Sequence, residues 1–342
     1  MLETIWFLLW GVLWAVYFVL DGYGLGIGTL IPFLGKSDRD RRVMLNSMGP
    51  FRDGNEVWLI AAGGVTFAAF PKAYAVMFSG LYTPLMLLLL ALIIRGVYLE
   101  YRHQVESRVW RGIWDWGATI GSFLPALLLG VAFANIFMGL PLDENGVFQG
   151  DLRTLLNPYG LAGGVLFVLL FVMHGALWLT VKSEGDLQHR AARLARRIWP
   201  VLVAGVGLFV VLTLFYNTKL LFNYLCNPLM FILLAVPVVA LVLLRRQIGR
   251  KDWWYAWGLS AVVIAGLTLF GVVGLYPAIL PSSIAPEYSI TVTNAASSTL
   301  TLSIMLGVAL IFVPVVAAYQ FWLYRTFSHK VTDKELDQHG AY

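Results

Sequence analysis

The sequence predicts an all-α integral membrane protein with nine transmembrane helices. Of its 342 residues, 59% are hydrophobic and only 13% are charged, and the mean hydropathy is +0.76, outside the range of ordinary soluble domains. The apolar residues form continuous runs of about 20, the length a helix needs to cross the hydrocarbon, and not the alternating pattern of a membrane β-barrel. The predicted spans are about 4–32, 54–73, 80–98, 117–140, 158–181, 199–218, 224–244, 254–275 and 300–324.

The basic residues predict the orientation. All but three of the 24 Lys and Arg residues lie in every second connection, namely 33–53, 95–116, 182–198, 245–253 and 325–342. The positive-inside rule places these segments in the cytoplasm, the N-terminus outside and the C-terminus inside. This arrangement requires an odd number of crossings, which agrees with nine. The net charge of +5 therefore follows from topology, and no nucleic-acid partner is expected.

The chain is predicted to be one polytopic membrane domain, 1–342. Helices 1–4 (about 4–140) and helices 5–8 (about 158–275) have the same polarity, which is compatible with two four-helix bundles and an added helix 9 (about 300–324). The longest connection, 276–299, is rich in Pro, Ser and Thr, and we expect an ordered external loop there. Glycines spaced by four, such as Gly22 and Gly26, indicate close helix packing.

The segment Asp53-Gly54-Asn55-Glu56-Val57-Trp58 opens the second predicted helix. The spacing of three places Asp53 and Glu56 on one helix face, and Asn55 and Trp58 on the neighbouring face. One interpretation is a capping box with Asp53 as the helix cap. The other is proton uptake from the cytoplasm, with Asp53 as the first acceptor and Glu56 one turn further in, because ionisable groups at the edge of hydrocarbon usually serve a function.

Asp21 lies inside the first predicted helix, directly after the apolar run 5–20. It is about 16 Å from the cytoplasmic end at the rise of an α-helix. A carboxylate at that depth must be protonated, paired or hydrated. We therefore consider two interpretations: a protonated Asp that is hydrogen-bonded across helices, and a proton relay site that is loaded from the Asp53 side.

Further polar residues lie near predicted helix ends. Asp115, between two tryptophans, is predicted to be an interfacial N-cap of helix 4. Arg95, Glu100 and Arg102 flank the end of helix 3, and we expect them to form ion pairs at the cytoplasmic surface, or against a partner subunit.

Histidine usage limits the redox chemistry. Of five histidines, only His174 falls in a predicted span, so this chain alone cannot supply two histidines to a haem inside the membrane. A buried neutral His174, hydrogen-bonded to a backbone or hydroxyl group, is the main expectation, and a haem held by His174 with a methionine is the alternative. The single cysteine, Cys226, excludes an internal disulfide and a Cys-based metal site. No metal site is expected.

Short motifs connect the chain to a known family. They are Asp-Gly-Tyr at 21–23, Asn-Ser-Met-Gly-Pro at 46–50, Asp-Gly-Asn-Glu-Val-Trp-Leu at 53–59, Ala-Ala-Gly-Gly at 61–64, Phe-Ala-Ala-Phe-Pro at 67–71, Trp-Asp-Trp-Gly at 114–117, Gly-Ser-Phe at 121–123, Leu-Asn-Pro-Tyr-Gly at 156–160 and Pro-Ser-Ser at 281–283. With these motifs the chain resembles, nearly end to end, subunit II of the cytochrome bd-type quinol oxidases.

The resemblance implies a respiratory function in the bacterial inner membrane. Enzymes of this family oxidise membrane quinol and reduce dioxygen to water, and their b and d haems are carried by subunit I, the partner of this chain. Subunit II contributes proton uptake, an oxygen path and, in some members, a bound quinone. The resemblance implies that Asp53 is the cytoplasmic proton entrance, that Trp58 lies beside the oxygen path, and that Asp21 is the first acidic residue of the helix-1 motif. Contact with membrane lipid is implied, and a small accessory subunit is left open.

One position departs from the family pattern. Many members have a second Asp where this chain has Gly24, so a proton route that needs both carboxylates is in question. Two other functions stay open at this stage. One is a secondary transporter that uses Asp21 and Asp53 as coupling sites, and the other is a scaffold subunit.

Overall fold

The computed structural model describes residues 1–216, 218–332 and 336, and almost all of its regular structure is helical. The helices are α1 (Leu2–Leu20), α2 (Gly22–Leu34), α3 (Asp38–Met48), α4 (Arg52–Ala69), α5 (Pro71–Gly80), α6 (Tyr82–Tyr101), α7 (Arg108–Met138), α8 (Leu152–Leu155), α9 (Pro158–Lys182), α10 (Gly185–Tyr216), α11 (Phe222–Cys226), α12 (Ile232–Arg250), α13 (Trp253–Leu275) and α14 (Thr299–Thr326). Strands β1 (Ala278–Leu280) and β2 (Ile290–Thr291) form one antiparallel pair.

Eight segments of the described chain are long and apolar enough to cross a membrane. They are Leu2–Leu34, which contains α1 and α2, then α6, α7, α9, α10, the segment Pro228–Arg250 that ends in α12, and finally α13 and α14. The all-α membrane class predicted from the sequence is therefore confirmed. The predicted second span, 54–73, corresponds to α4, which is not among the eight. This helix begins with the charged residues Arg52, Asp53 and Glu56 and ends at Ala69.

Several helix boundaries differ from the predicted ones. Helix α7 begins at Arg108 and α10 at Gly185, well before the predicted starts at 117 and 199, because polar residues continue the helix beyond its apolar segment. Helix α10 ends at Tyr216, and the predicted end at 218 lies beyond residue 217, which is outside the described residues. Helix α3 was not predicted. Ser37 and Asp40 form a capping box at its start, a local arrangement that satisfies two free backbone N–H groups.

The first span has a one-residue break at Asp21, where α1 ends and α2 begins, and Asp21 itself keeps helical backbone angles (φ −93°, ψ −19°). The two carbonyls just before the break accept side-chain hydrogen bonds. His174 Nε2 lies 3.1 Å from the Val19 oxygen, and Asn55 Nδ2 donates to the Leu20 oxygen at 2.7 Å. Backbone polar groups must be satisfied within a membrane protein, so these two side chains stabilise the break and fix the position of Asp21.

Helix α9 forms the centre of the fold, packed against α2, α7, α10 and α13. A Cβ atom on Gly26 of α2 would lie 1.9 Å from the Phe171 carbonyl oxygen, and one on Gly121 of α7 would lie 2.8 Å from the Ala91 carbonyl oxygen. Glycine is therefore required where α2 meets α9 and where α7 meets α6, as small-residue packing in membranes predicts. This close packing holds α2 and α6 in the positions from which they supply the candidate site.

The connection between α13 and α14 is an ordered loop, as expected. Strands β1 and β2 pair within it. The amide of Leu140, which follows α7, donates to the Pro281 oxygen at 2.9 Å, and the Ser283 amide donates to the Leu140 oxygen at the same distance. The loop is thereby attached to the end of α7, where Gly139 adopts a positive φ of 99° that favours glycine.

Candidate functional site

The centre of the candidate site is a buried arginine between two carboxylates. Arg95 of α6 is 1% exposed, and its two terminal nitrogens bind the two oxygens of Asp21 at 2.8 and 2.5 Å. Nη1 of Arg95 also lies 3.2 Å from Oε1 of Glu56 in α4. Bidentate pairs of this kind are among the strongest hydrogen-bonded contacts in proteins. Three helical segments are therefore joined at one cation.

The backbone around Asp21 provides the room for this pair. A Cβ atom on Gly24 would lie 2.7 Å from Nη2 of Arg95 and 3.3 Å from Oδ1 of Asp21. Gly24 is the position at which many members of the resembling family have a second Asp. In this chain the space beside the position is occupied by the guanidinium group of Arg95, which would have to move to admit a larger residue at Gly24.

A second arginine extends the charged groups towards the surface. Arg52 contacts Asp53 at 3.0 Å, and its Nε lies 4.0 Å from Oε1 of Glu56. The side chain of Asp53 is 88% exposed, that of Glu56 is 29% exposed and that of Asp21 is 1% exposed. The three carboxylates thus lie at three depths. Arg52 lies between Asp53 and Glu56, and Arg95 lies between Glu56 and Asp21. Carboxylates can accept and donate protons, and water can bridge the space between two neighbouring carboxylates. The arginines between them stay charged.

The helix-cap interpretation of Asp53 is wrong. Helix α4 begins at Arg52, its N-cap is Phe51, and no side chain caps it. Asp53 instead lies in the first turn, where a negative charge interacts favourably with the helix dipole. The interpretation of Asp21 as a protonated group bonded across helices is also replaced, because both of its oxygens contact the guanidinium group of Arg95.

A network of hydrogen bonds lies beside Arg95, at the start of α4. Asn55 Nδ2 contacts the Tyr23 hydroxyl at 2.9 Å, and that hydroxyl lies 3.0 Å from the Tyr324 hydroxyl. Gln320 donates to the Gly54 oxygen at 2.9 Å. These contacts attach α14 to the start of α4 and to the helix break. The contact between Tyr23 and Tyr324 was not predicted from the sequence, because the two residues are 301 positions apart and have no shared local motif.

His174 is fully buried, and both ring nitrogens have hydrogen-bonding partners. Nδ1 lies 2.6 Å from the Ser260 hydroxyl and Nε2 lies 3.1 Å from the Val19 oxygen. These are the hydroxyl and backbone partners expected from the sequence. With both nitrogens engaged, His174 is not placed to ligate a haem. Separately, the described residues contain no group of three or more His, Cys, Asp or Glu side chains that could hold a metal ion.

Asp115 anchors a group of charges that includes Arg41 and Arg102, and it is not an N-cap. Helix α7 begins at Arg108 and is capped by Ser107, which places Asp115 inside the helix. Its carboxylate accepts from Arg41 at 2.7 Å and from Arg102 at 2.7 Å. Arg102 therefore forms an ion pair, as predicted, but the pair is buried and not at the surface, since Arg102 is 4% exposed.

Arg95 and Glu100 differ from the surface ion pairs that were expected. The pair made by Arg95 is buried in the interior, and exposed Glu100 forms no ion pair within the described residues. The signal for Arg95 was its position directly after the apolar run 85–94. A cation that continues such a run is more consistent with an interior location than with a surface one.

Asp38 adds a pH-dependent contact to the same group of charges. Arg102 donates to its carboxylate at 2.8 Å. Burial by itself would raise the pKa of Asp38, but the hydrogen bond and positive charge of Arg102 outweigh this effect and hold the pKa below its usual value. Because the folded-state pKa is lowered, this pair stabilises the fold above the unfolded-state pKa. Its contribution is lost as the pH falls through the folded-state pKa.

An apolar groove lies next to the charged groups. It has a volume of about 560 Å³, and its lining residues include Trp10 and Trp14 of α1 and Leu59 and Ile60 of α4. Trp58, buried in α4, directly precedes two of these lining residues. The groove has the size range of small-molecule and cofactor sites, and its apolar walls suit an apolar molecule.

Comparison with known proteins agrees with the motifs. Residues 2–327 match the sequence profile of the family described as cytochrome bd terminal oxidase subunit II. The chain is 36% identical to cytochrome bd ubiquinol oxidase subunit 2 of Bacillus subtilis, covering 98% of both chains. It is 35% identical to cytochrome bd-I ubiquinol oxidase subunit 2 of Escherichia coli K12, covering 100% of this chain and 98% of the relative.

A solved structure has the same fold. A chain in the structure of bd oxidase from Geobacillus thermodenitrificans aligns with a TM-score of 0.78 at 16% identity, covering 95% of this chain and 98% of that one. At this identity the likeness establishes the fold alone. The sequence relatives establish the family: the chain belongs to the cytochrome bd terminal oxidase subunit II family.

Proposed function

We propose that this chain is the non-haem subunit of a bd-type quinol oxidase complex of the bacterial inner membrane, and that it takes up protons from the cytoplasm for the reduction of dioxygen. The complex oxidises membrane quinol, and the haem-bearing partner is subunit I. The observation that carries the proton role is the series Asp53, Glu56 and Asp21, which runs from the exposed start of α4 to a buried pair. The relatives carry the assignment to the oxidase.

The proposed topology has nine crossings in one polytopic domain. Helix α4 would be the ninth span, lying against α1 with its charged first turn at the cytoplasmic surface. The N-terminus would be outside and the C-terminus in the cytoplasm, which the distribution of Lys and Arg supports. The first four predicted spans (about 4–140) and the next four (about 158–275) would form the two four-helix bundles. The bundles would be joined where α9 packs on α2 and α7.

The apolar groove is the proposed location for apolar molecules in this subunit. Its walls of α1, α4, α5, α6 and α7 side chains suit the isoprenoid tail of the quinone that some family members bind. Dioxygen is also apolar, and Trp58, which directly precedes the lining residues Leu59 and Ile60 in α4, is the proposed residue of an oxygen path. Its indole nitrogen is buried and has no hydrogen-bonding partner among the described residues.

The structure does not favour a secondary transporter. Transporters bind substrates at helix breaks whose free carbonyls and helix ends face a cavity. At the break in this chain the carbonyls of Val19 and Leu20 are occupied by His174 and Asn55, and Asp21 is occupied by Arg95. These groups are therefore already engaged by protein side chains, whereas a substrate-binding break would leave them free.

We expect Asp53→Asn to slow oxygen consumption with quinol several-fold while the haem spectrum of the complex stays intact. The reason is that Asn cannot accept a proton at the exposed entrance, although water can partly replace it there. Oxygen electrode assays across a pH series would measure the effect. Glu100→Asn is a matched control, since Glu100 is exposed and makes no ion pair in the described residues. Equal turnover of Asp53→Asn and wild type at every pH would contradict the entrance role.

We expect Trp58→Ala to change the apparent affinity for oxygen more than the affinity for quinol. Removal of the buried ring would alter packing beside the apolar groove, where dioxygen and not the quinol ring is proposed to pass. Steady-state kinetics at varied oxygen and varied quinol would separate the two effects. Trp110→Ala, at the start of α7 and outside the groove, serves as the control. Equal changes in both affinities would remove the oxygen-path assignment.

A further inference from the structure

A cavity of about 350 Å³ lies between the start of α10 and the turn that joins α12 to α13. Arg193 and Arg196 of α10 line one side, with His189 one turn before Arg193. Lys251 and Trp253 line the other side. The spacing of His189, Arg193 and Arg196 places them on one helix face. The cavity is thus bordered by three basic side chains, those of Arg193, Arg196 and Lys251, and by an aromatic ring.

Within the described part of the chain, no acidic side chain is paired with the cations of this cavity. No acidic residue lines it, and within the described residues Arg193, Arg196 and Lys251 form no salt bridge. The nearest acidic residue in sequence, Asp252, is engaged as the N-cap of α13, where it accepts from the Tyr255 amide at 3.4 Å. Arg196 makes only a long contact of 3.4 Å to the Ile248 oxygen. The cavity therefore presents a concentrated positive charge to an external anion.

The surroundings of the cavity indicate a membrane surface. The apolar parts of α10 and α12 follow directly, with exposed Val201 and Leu208 on α10 and exposed Val239 and Val242 on α12. Tryptophan is enriched at the level of lipid headgroups, and Trp253 lies there at the start of α13. An occupant with an anionic head and apolar tails would match both the cationic cavity and the exposed helix faces.

We propose that this cavity binds a phosphate group, and that the apolar faces below it favour the phosphate of an anionic phospholipid. Guanidinium groups match phosphate oxygens with pairs of hydrogen bonds, and basic pockets between helices on the cytoplasmic side are suited to anionic headgroups. In the proposed orientation this is the cytoplasmic leaflet. The residues of this cavity differ from the proton-uptake residues and are far from them in the sequence. Binding of phosphate at the cavity does not depend on turnover of the oxidase.

The test uses the whole oxidase complex, purified in mild detergent and stripped of loosely bound lipid. It is titrated with mixed micelles that contain either phosphatidylglycerol or phosphatidylcholine, and separately with inorganic phosphate. Bound lipid is quantified by mass spectrometry, and bound phosphate by equilibrium dialysis. The wild-type complex is expected to bind phosphatidylglycerol at least about tenfold more tightly than phosphatidylcholine.

The variant Arg193→Gln, Arg196→Gln, Lys251→Gln is expected to bind phosphatidylglycerol about a hundredfold more weakly, since each cation near the surface adds to the attraction. The matched control is Lys36→Gln, Arg108→Gln, Arg246→Gln, which removes three exposed cations that do not line the cavity. It is expected to change binding less than about threefold. An unchanged haem spectrum in both variants shows that the complex is assembled.

Each result decides the proposal. Selective loss in the cavity variant supports a phospholipid site. Equally tight binding of inorganic phosphate, lost in the same variant, supports the phosphate site with free phosphate as its source. Equal binding by wild type, cavity variant and control overturns the proposal. If the triple variant does not assemble, the single variant Arg193→Gln is tested in its place. A wild-type complex that neither prefers phosphatidylglycerol nor binds phosphate also overturns the proposal.

Discussion

Replacing Arg95 by Gln is expected to give the largest loss of stability of any single change in the candidate site. Asp21, which is buried, would lose the guanidinium group that contacts both of its carboxylate oxygens. Breaking one side of a buried ion pair costs about 3–5 kcal/mol. We expect the melting temperature of the purified complex to fall by roughly 10 °C, at about 2–4 °C per kcal/mol. Thermal denaturation followed by intrinsic fluorescence and by loss of haem absorption measures this change.

Two further variants separate charge from packing at Arg95. Arg95→Lys keeps the charge but loses the two-point contact with Asp21, and we expect an intermediate fall. The double variant Arg95→Gln with Asp21→Asn removes both charges, and we expect it to recover most of the lost stability because no buried charge remains unpaired. A double variant that is less stable than Arg95→Gln alone would contradict the account of Arg95 as the partner of Asp21.

Replacing Glu56 by Gln is expected to give the largest loss of turnover with little loss of assembly. Glu56 is the middle carboxylate, between exposed Asp53 and buried Asp21. Gln keeps the shape and a hydrogen bond to Arg95 but cannot carry a proton. A positioned proton-transfer group contributes about 10²–10⁴-fold to a rate, and water beside a half-exposed side chain can replace part of this. We therefore expect a fall of about tenfold or more in oxygen consumption, steeper at high pH.

The control for Glu56→Gln is a variant that keeps a carboxylate at position 56. Glu56→Asp retains a titratable group and is expected to recover at least part of the rate, which a role limited to packing does not predict. Proton uptake after a single turnover, measured with a pH-sensitive dye, reports the step directly. If Glu56→Gln and wild type take up protons at the same rate, Glu56 is not part of the route.

The helical class could be read from the sequence, because long uncharged runs have few other solutions in a membrane. The limits of α9 and α13 were close to those predicted, since Pro158 and Asp252 mark their starts. Helix α4 was harder to assign. Its charged first turn reduces the apolar length, and Phe70 ends it before the predicted limit.

The arrangement of the site could be predicted only in part. Asp21, Asp53 and Glu56 were identified as unusual because charges beside apolar runs are costly. Their connection through Arg95 was missed, because Arg95 and Asp21 are 74 positions apart and the pairing depends on how α6 packs against the helix break. The role of Gly24 likewise depends on a contact with Arg95. The capping prediction for Asp115 failed because α7 extends past the apolar segment to Ser107.

The absorption spectrum of the complex isolated through a tag on this chain tests the central claim most directly. We expect a haem-bearing partner to copurify, with the bands of b-type and d-type haem, and we expect the separated polypeptide of this chain to retain none of them. A colourless preparation of this chain alone, or tightly bound haem that stays with it after separation from the partner, would contradict the assignment.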